Sequence, residues 1–355
     1  MRKFIVAVVL MIGVVYFIAR MAELESIGRT MRQGELSYLS LAVFAELLWL
    51  IVLAANFWII FRALGLKERI QTISVLATAA YFVNIVAPVL GGSGFMVFIA
   101  ESRRRGHSTA RATVASGLFL LSDYISFLII LTVGLVVLFQ RGRLNFPEIL
   151  ASISILVAAL LISALLILGM RGSEKLEVML RWMARTGNKI TRPILKREPF
   201  LEARATLFAH EVIDGLRELK GKPLKIIPPI LLGLVGKLLL LAIFLLMFLA
   251  FGVEFTASTI IAGFSIGHLF TIVSPTPAGV GVVEGALTLS LASLNVPLSS
   301  AAVVTLAYRG ITFWMPLFVG FLAFRTLGRG TVALAETSGK TVGVDRFKAD
   351  SASDG

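Results

Sequence analysis

Apolar residues dominate eight stretches of this chain, at 4–19, 38–61, 72–100, 113–139, 148–170, 226–251, 257–294 and 299–324. A helix needs about 20 such residues to cross the hydrocarbon of a bilayer. Backbone polar groups in that hydrocarbon must be paired internally, so stretches of this length and composition are read as helices. With 57% apolar residues, 15% charged residues and a mean hydropathy of +0.90, a chain of 355 residues carries more apolar surface than a water-soluble core hides. The predicted fold class is therefore an all-α polytopic membrane protein. There is no cysteine, which excludes disulfides, thiolate catalysis and cysteine metal sites. His107, His210 and His268 are far apart and lack metal-ligand spacing, and no cofactor is expected.

The net charge of +13 does not point to nucleic acid, because the basic runs lack the interleaved aromatic residues of a strand-binding groove. Most of the 34 lysines and arginines fall on one side of the expected spans: Arg62, Lys67 and Arg69, then Arg103 to Arg105 and Arg111, then the polar segment 171–225, then the residues beyond 325. The opposite side receives Arg20, Arg29, Arg32, Arg141 and Arg143. By the positive-inside rule the first side is cytoplasmic, and both termini with it. Segment 4–19 follows Arg2 and Lys3, but no clean small-x-small cleavage pattern comes after it, so it is expected to be retained as a span.

Two of the eight stretches are interrupted. One carries Ala87-Pro88-Val89-Leu90-Gly91-Gly92-Ser93-Gly94, the other Ser274-Pro275-Thr276-Pro277-Ala278-Gly279-Val280-Gly281. Helix interruptions in hydrocarbon are tolerated where the freed backbone groups line a cavity or are buried in protein. The charge distribution requires each interrupted segment to enter and leave on one side, as a re-entrant hairpin or as two tightly joined legs, the first opening from the cytoplasm and the second from the outside. The halves also match in sequence at an offset of 187. Phe61, Ala63 and Gly65 align with Phe248, Ala250 and Gly252; Ile85, Val86, Pro88, Gly92 and Gly94 align with Ile272, Val273, Pro275, Gly279 and Gly281. With one residue removed, Ala115, Ile125, Phe127 and Gly134 align with Ala301, Ile311, Phe313 and Gly320. The expected organisation is a transmembrane domain over 1–325 and a polar, mobile cytoplasmic tail over 326–355. The domain divides into two inverted-topology repeats, about 1–147 and 148–325, the second carrying a cytoplasmic insert at 171–225. In that insert Leu201, Ala205, Phe208, Val212, Leu216 and Leu219 share a helical face, as in a helix resting on a bilayer surface or on the membrane domain.

Within the spans lie few ionisable side chains: Glu46, Asp123, Lys237, His268, Glu284 and Arg309. Such groups normally pair, face the protein interior or line a polar path. The repeat places Asp123 and Arg309 at equivalent positions, which brings them towards one another. Glu284, one turn beyond Gly281, also reaches for Arg309. Lys237 either pairs with Glu46, the preferred expectation, or lines the cavity; Glu46, nearer a helix end, is otherwise wetted; His268 faces the same choice, with a hydrogen-bonded packing role preferred. The glycines Gly92, Gly94, Gly279 and Gly281 let backbone approach a ligand, and the helix legs beginning near Ser93 and Gly281 present N–H groups suited to a phosphate. Asn84 and Thr271 stand just before the two breaks, where they either satisfy backbone groups or touch a ligand. The candidate substrate-binding set is thus Arg309, Glu284, Asp123, Gly279, Gly281, Pro275, Pro277, Asn84, Pro88, Gly92, Ser93, Gly94 and Thr271, with Lys237, His268 and Tyr308 beside it.

Enzyme signatures are weak. Ser338-Gly339-Lys340-Thr341 ends like a phosphate loop without its first glycine, and Gly279-Val280-Gly281 lacks the third glycine of a dinucleotide fingerprint. The run Pro275-Thr276-Pro277-Ala278-Gly279-Val280-Gly281-Val282-Val283-Glu284, followed by Tyr308-Arg309-Gly310, resembles the lysylphosphatidylglycerol synthase transmembrane-region family, also called flippase-like membrane proteins. The resemblance spans about residues 1–325. It implies a bacterial or archaeal cytoplasmic-membrane protein that binds or translocates an anionic phospholipid, or a polyprenyl- or hopanoid-type lipid, with a protein of envelope biosynthesis as a partner. Members fused to a soluble aminoacyltransferase also make the lipid; no such segment occurs in these 355 residues, so synthase activity is not expected of them. Asn84 and Pro88 match the family's first-half motif, but Gly94-Phe95-Met96-Val97 stands where that motif carries an acid and an arginine. The resemblance therefore implies headgroup contacts chiefly from the second half. Two other readings come from the same residues: a membrane-embedded lipid-modifying transferase using Glu284 or His268, and a non-catalytic subunit of an envelope pathway.

Overall fold

The computed structural model describes residues 26–86, 93–171, 212–216, 223–274, 276 and 279–327, with a few isolated positions between 178 and 186. The expected span at 4–19, the tail beyond 327 and most of the insert lie outside the described residues. So do Pro88 and Gly92 of the first break and Pro275 and Pro277 of the second.

Every described element is helical. In chain order they are α1 (Leu36–Ala63), α2 (Ile70–Val86), α3 (Ser93–Arg104), α4 (Thr109–Gln140), α5 (Phe146–Met170), α6 (Ile227–Ala250), α7 (Ala257–Val273), α8 (Val282–Ser293) and α9, which starts at Leu298 and runs to Leu327. Five of them, α1, α4, α5, α6 with its leading turn, and α9, are long and apolar enough to cross a membrane. The protein is an all-α membrane protein. Ends are set by local chemistry: the Ser108 hydroxyl accepts from the Arg111 N–H at the start of α4, and Thr256 accepts from Thr259 N–H at the start of α7. At α5 the Asn145 N–H donates to the Glu148 carboxylate, half of a capping box.

The interrupted segments fold back on themselves. Helices α3 and α8 have 12 residues each, about 18 Å of helix, well short of the roughly 30 Å hydrocarbon core. Glu68, just before α2, lies 2.7 Å from His107 and 3.6 Å from Arg105, just after α3, so the first pair of legs starts and ends in one place. In the second pair, a Cβ built at Gly263 would meet Leu291 and one at Gly267 would meet Leu287, the pattern of two antiparallel legs.

Helices α1 and α6 pack along their lengths in opposite directions. The Glu35 N–H donates to the Ala250 carbonyl at one end of the pair, and the Asn56 amide to Pro229 and the Lys225 ammonium to Ala63 towards the other. These two helices correspond at the sequence offset of 187. The helices carrying Gly134 and Gly320 make corresponding contacts: Gly134 of α4 abuts Ser265 of α7, and Gly320 of α9 abuts Thr78 of α2. Thr78 and Ser265 stand at the repeat offset of 187, so each half reaches across with an equivalent glycine onto an equivalent residue. Phe82 continues this contact on Phe321 and Phe324. Of the insert, residues 212–216 are described; Val212 and Leu216 are buried, and Gly215 fits against Ala110 and Val114 of α4. This described turn packs on the helical domain.

At Gly320 a Cβ would lie 2.6 Å from the Thr78 carbonyl oxygen and 2.7 Å from Phe82 Cβ, atoms fixed by backbone. Overpacking of this kind costs about 1–3 kcal/mol. G320A is therefore expected to lower the thermal unfolding midpoint in detergent, and an unchanged midpoint would show that α9 and α2 do not approach this closely.

Candidate functional site

Helix α7 ends at Val273 because Pro275 follows, and the chain must restart as α8 with its freed polar groups satisfied. Three side chains do this. The Ser274 hydroxyl accepts from the Thr276 N–H and shares a hydrogen bond with its hydroxyl, and Thr276 Oγ1 donates to the Val280 carbonyl at 3.0 Å. Gly279 and Gly281 turn the backbone at φ +75° and +80°, a region that side chains with a Cβ rarely occupy. At the first turn of α8, Glu284 Oε2 accepts from the Gly281 N–H at 2.6 Å. Its other oxygen, Oε1, accepts from Arg309 Nε at 2.7 Å. One carboxylate thus caps α8 and ties it to α9.

Arg309 is a buried residue whose guanidinium lies 4.5 Å from the centre of the Phe313 ring. Immediately after it, Gly310–Trp314 forms one π-helical turn in α9. Such turns inside α-helices are frequent at functional sites, since the extra residue re-aims the neighbouring side chains.

Arg309 lines a cavity of about 620 Å³. The residues flanking both interruptions meet there: Asn84, Gly94 and Phe95 of the first, Thr271, Ser274 and Thr276 of the second. Asp123 of α4, Lys237 of α6 and His268 of α7 add to the polar wall, and the rest is largely apolar, with aliphatic residues such as Leu53 and Leu240 beside the aromatic Trp49, Tyr81, Phe119 and Tyr124. Several lining residues are repeat partners: Tyr81 with His268, Asn84 with Thr271, Ile85 with Ile272, Leu53 with Leu240, and Asp123 with Arg309.

The charges pair differently from the sequence expectation. Lys237 Nζ lies 2.7 Å from Asp123 Oδ1 and 2.9 Å from His268 Nε2. Lys237 therefore does not pair with Glu46, and the partner of Asp123 is Lys237, with Glu284 serving Arg309. Asp123 of α4 faces α6, a relation that equivalent positions in two matching halves do not fix. Glu46, expected to be wetted, is 0% exposed. His268 stacks on Phe264 and meets Phe127 edge-on, as expected of a packed histidine, while also lining the cavity.

Of the candidate residues, Arg309, Asp123, Asn84, Gly94, Thr271, Lys237 and His268 come together on this cavity. Glu284, Gly279 and Gly281 stand behind it and act through Arg309 and the turn. The N–H of Gly281, expected to face a phosphate, is taken by Glu284. Thr271 donates to the Gly267 carbonyl of its own helix, so it does not relieve the break. Gly94 lets α3 press onto the Ala80 carbonyl of α2, where a Cβ would collide. Ser93 begins α3, with its side chain outside the described part. Tyr308 is buried edge-on against Phe244 and does not line the cavity. Sequence reasoning missed Ser274 and Thr276, which close the break, and Tyr81, which the repeat offset from His268 would have located.

Fold and site together define a polytopic helical membrane protein whose interrupted helices meet at an internal, partly charged cavity. The chain belongs to the family described as the lysylphosphatidylglycerol synthase TM region, whose model matches residues 4–320. It is similar to a UPF0104 membrane protein of Methanothermobacter thermautotrophicus, 24% identical over 329 residues, covering 91% of this chain and 95% of the relative. A UPF0104 membrane protein of Methanocaldococcus jannaschii is 22% identical over 330 residues, with the same coverage.

The Lys237 side chain is 6% exposed and that of Asp123 28%. Removing one member of a buried pair costs about 3–5 kcal/mol, whereas removing both is far milder. D123N is expected to destabilise the protein in chemical or thermal unfolding, and K237M added to it to recover most of the loss. Equal stability of D123N and wild type would show that the pair holds nothing together.

Proposed function

We propose that this protein binds an anionic lipid headgroup, or the phosphate of a lipid-linked carrier, in the central cavity and moves it between leaflets. The observation that carries this reading is the convergence of both interruptions on one cavity with the Arg309 guanidinium in its wall. Guanidinium is suited to phosphate by its planar array of donors. At rest its charge is balanced by Glu284. An incoming phosphate competes with that carboxylate, and its success frees Glu284 and, with it, the tie between α8 and α9.

The antiparallel α1 and α6, and the reciprocal glycine contacts, support an inverted-topology repeat with a re-entrant hairpin in each half. In that architecture movement of one repeat against the other exposes a midplane site alternately to each side. The basic residues near Glu68 and His107 favour placing that end of the molecule at the cytoplasmic face of a cytoplasmic membrane. Acyl or isoprenoid tails stay in the bilayer while the headgroup crosses. Family membership supports the lipid as cargo. A transferase reading is less well supported, because its candidate groups are engaged: Glu284 with Arg309 and Gly281, His268 with Lys237.

The double variant R309A/E284Q removes the guanidinium without leaving a bare carboxylate. In proteoliposomes containing fluorescent phosphatidylglycerol, it is expected to lose headgroup translocation while unfolding near the wild-type temperature. Translocation at the wild-type rate would contradict the reading.

A further inference from the structure

Glu46 is the intramembrane acid that the site above leaves without a task. It sits in α1, 0% exposed, and among the described residues neither carboxyl oxygen has a hydrogen-bond partner. Helix α1 packs on α2, α4, α6 and α9. From α2 the titratable neighbour is Tyr81 and from α9 it is Tyr308, both within electrostatic range of Glu46; Arg309 acts on the same two tyrosines. The charged groups of α6 and α4, Lys237 and Asp123, already hold one another. A carboxylate in low-dielectric surroundings, with no donor on either oxygen, is the least stable form this side chain could take there. A neutral acid is the form such a place accepts.

We propose that Glu46 is a proton-binding site, and that movement of the headgroup through the cavity is coupled to proton movement through it. The proposal rests on the transport reading above and supplies its energy source. In the present arrangement the proton is on Glu46 and Arg309 is held by Glu284. When a phosphate displaces Glu284 from Arg309 and α9 shifts against α1, the Tyr81 and Tyr308 hydroxyls become available as donors to Glu46. The acid then ionises, one proton passing from its carboxyl to cavity water and the O–H electron pair staying on the carboxylate. Return to the starting arrangement takes one proton back. Each cycle thereby carries one proton with, or against, one headgroup, according to the side on which release occurs.

Infrared spectroscopy of the purified wild-type protein near neutral pH is expected to show the C=O stretch of a neutral carboxylic acid, absent from E46Q and displaced in E46D. In proteoliposomes with fluorescent phosphatidylglycerol, a pH gradient should change the translocation rate of wild type several-fold and leave that of E46Q unchanged. A missing acid band in wild type, a band that survives in E46Q, or a preserved gradient response in E46Q would each overturn the proton site. Absence of wild-type translocation both with and without a pH gradient would instead overturn the transport reading, and the infrared result distinguishes the two failures.

Discussion

Every backbone N–H and C=O placed inside an apolar slab must find a partner, and the break between α7 and α8 is built around that requirement. Continuous helices meet it by themselves. Where Pro275 prevents continuation, Ser274, Thr276 and the carboxylate of Glu284 take over, with Gly279 and Gly281 giving the backbone its reversal. Glu284 then has one oxygen left, and that oxygen holds Arg309. A cation deep in the protein is thus a consequence of how the break is closed, and the cavity is the space that two such breaks leave between them.

Much of this was legible in the sequence. Hydropathy located the described spans to within a few residues, because apolar length is dictated by bilayer thickness and not by tertiary detail. The interruptions were visible because Pro and Gly are costly in a helix interior. The offset between halves identified Gly134 and Gly320, whose contacts with Ser265 and Thr78 are equivalent. Charge pairing was not legible. Asp123 and Arg309 are equivalent residues, but equivalence across an axis is not contact, and α4 gives Asp123 to Lys237 instead. The burial of Glu46 was hidden for a similar reason: it depends on how α1 is covered by its neighbours, information held in the packing of distant residues.

Both cations of the cavity are matched by acids on neighbouring helices, Arg309 by Glu284 and Lys237 by Asp123. Unpaired charge at this depth is costly, so the empty cavity is stable only in this matched form. Under the proposed reading, a phosphate entering the cavity takes the place of a carboxylate partner. Replacement loosens contacts between helices, because each acid and its cation belong to different helices. Under the proposed transport reading, binding and conformational change would be one event at this site, as an alternating-access carrier requires. The aromatic portion of the wall adds apolar surface, which under the proposed reading would face the part of a lipid nearest its headgroup.

The two interruptions converge on one polar-walled space, and the absence of native cysteine makes that convergence directly measurable. In an N84C/T271C variant held in membranes, a short bifunctional thiol reagent is expected to bridge the two positions, and a water-soluble thiol reagent to compete with it. Two cysteines that react only singly, or that are reached by lipid-soluble reagents alone, would contradict a shared polar cavity.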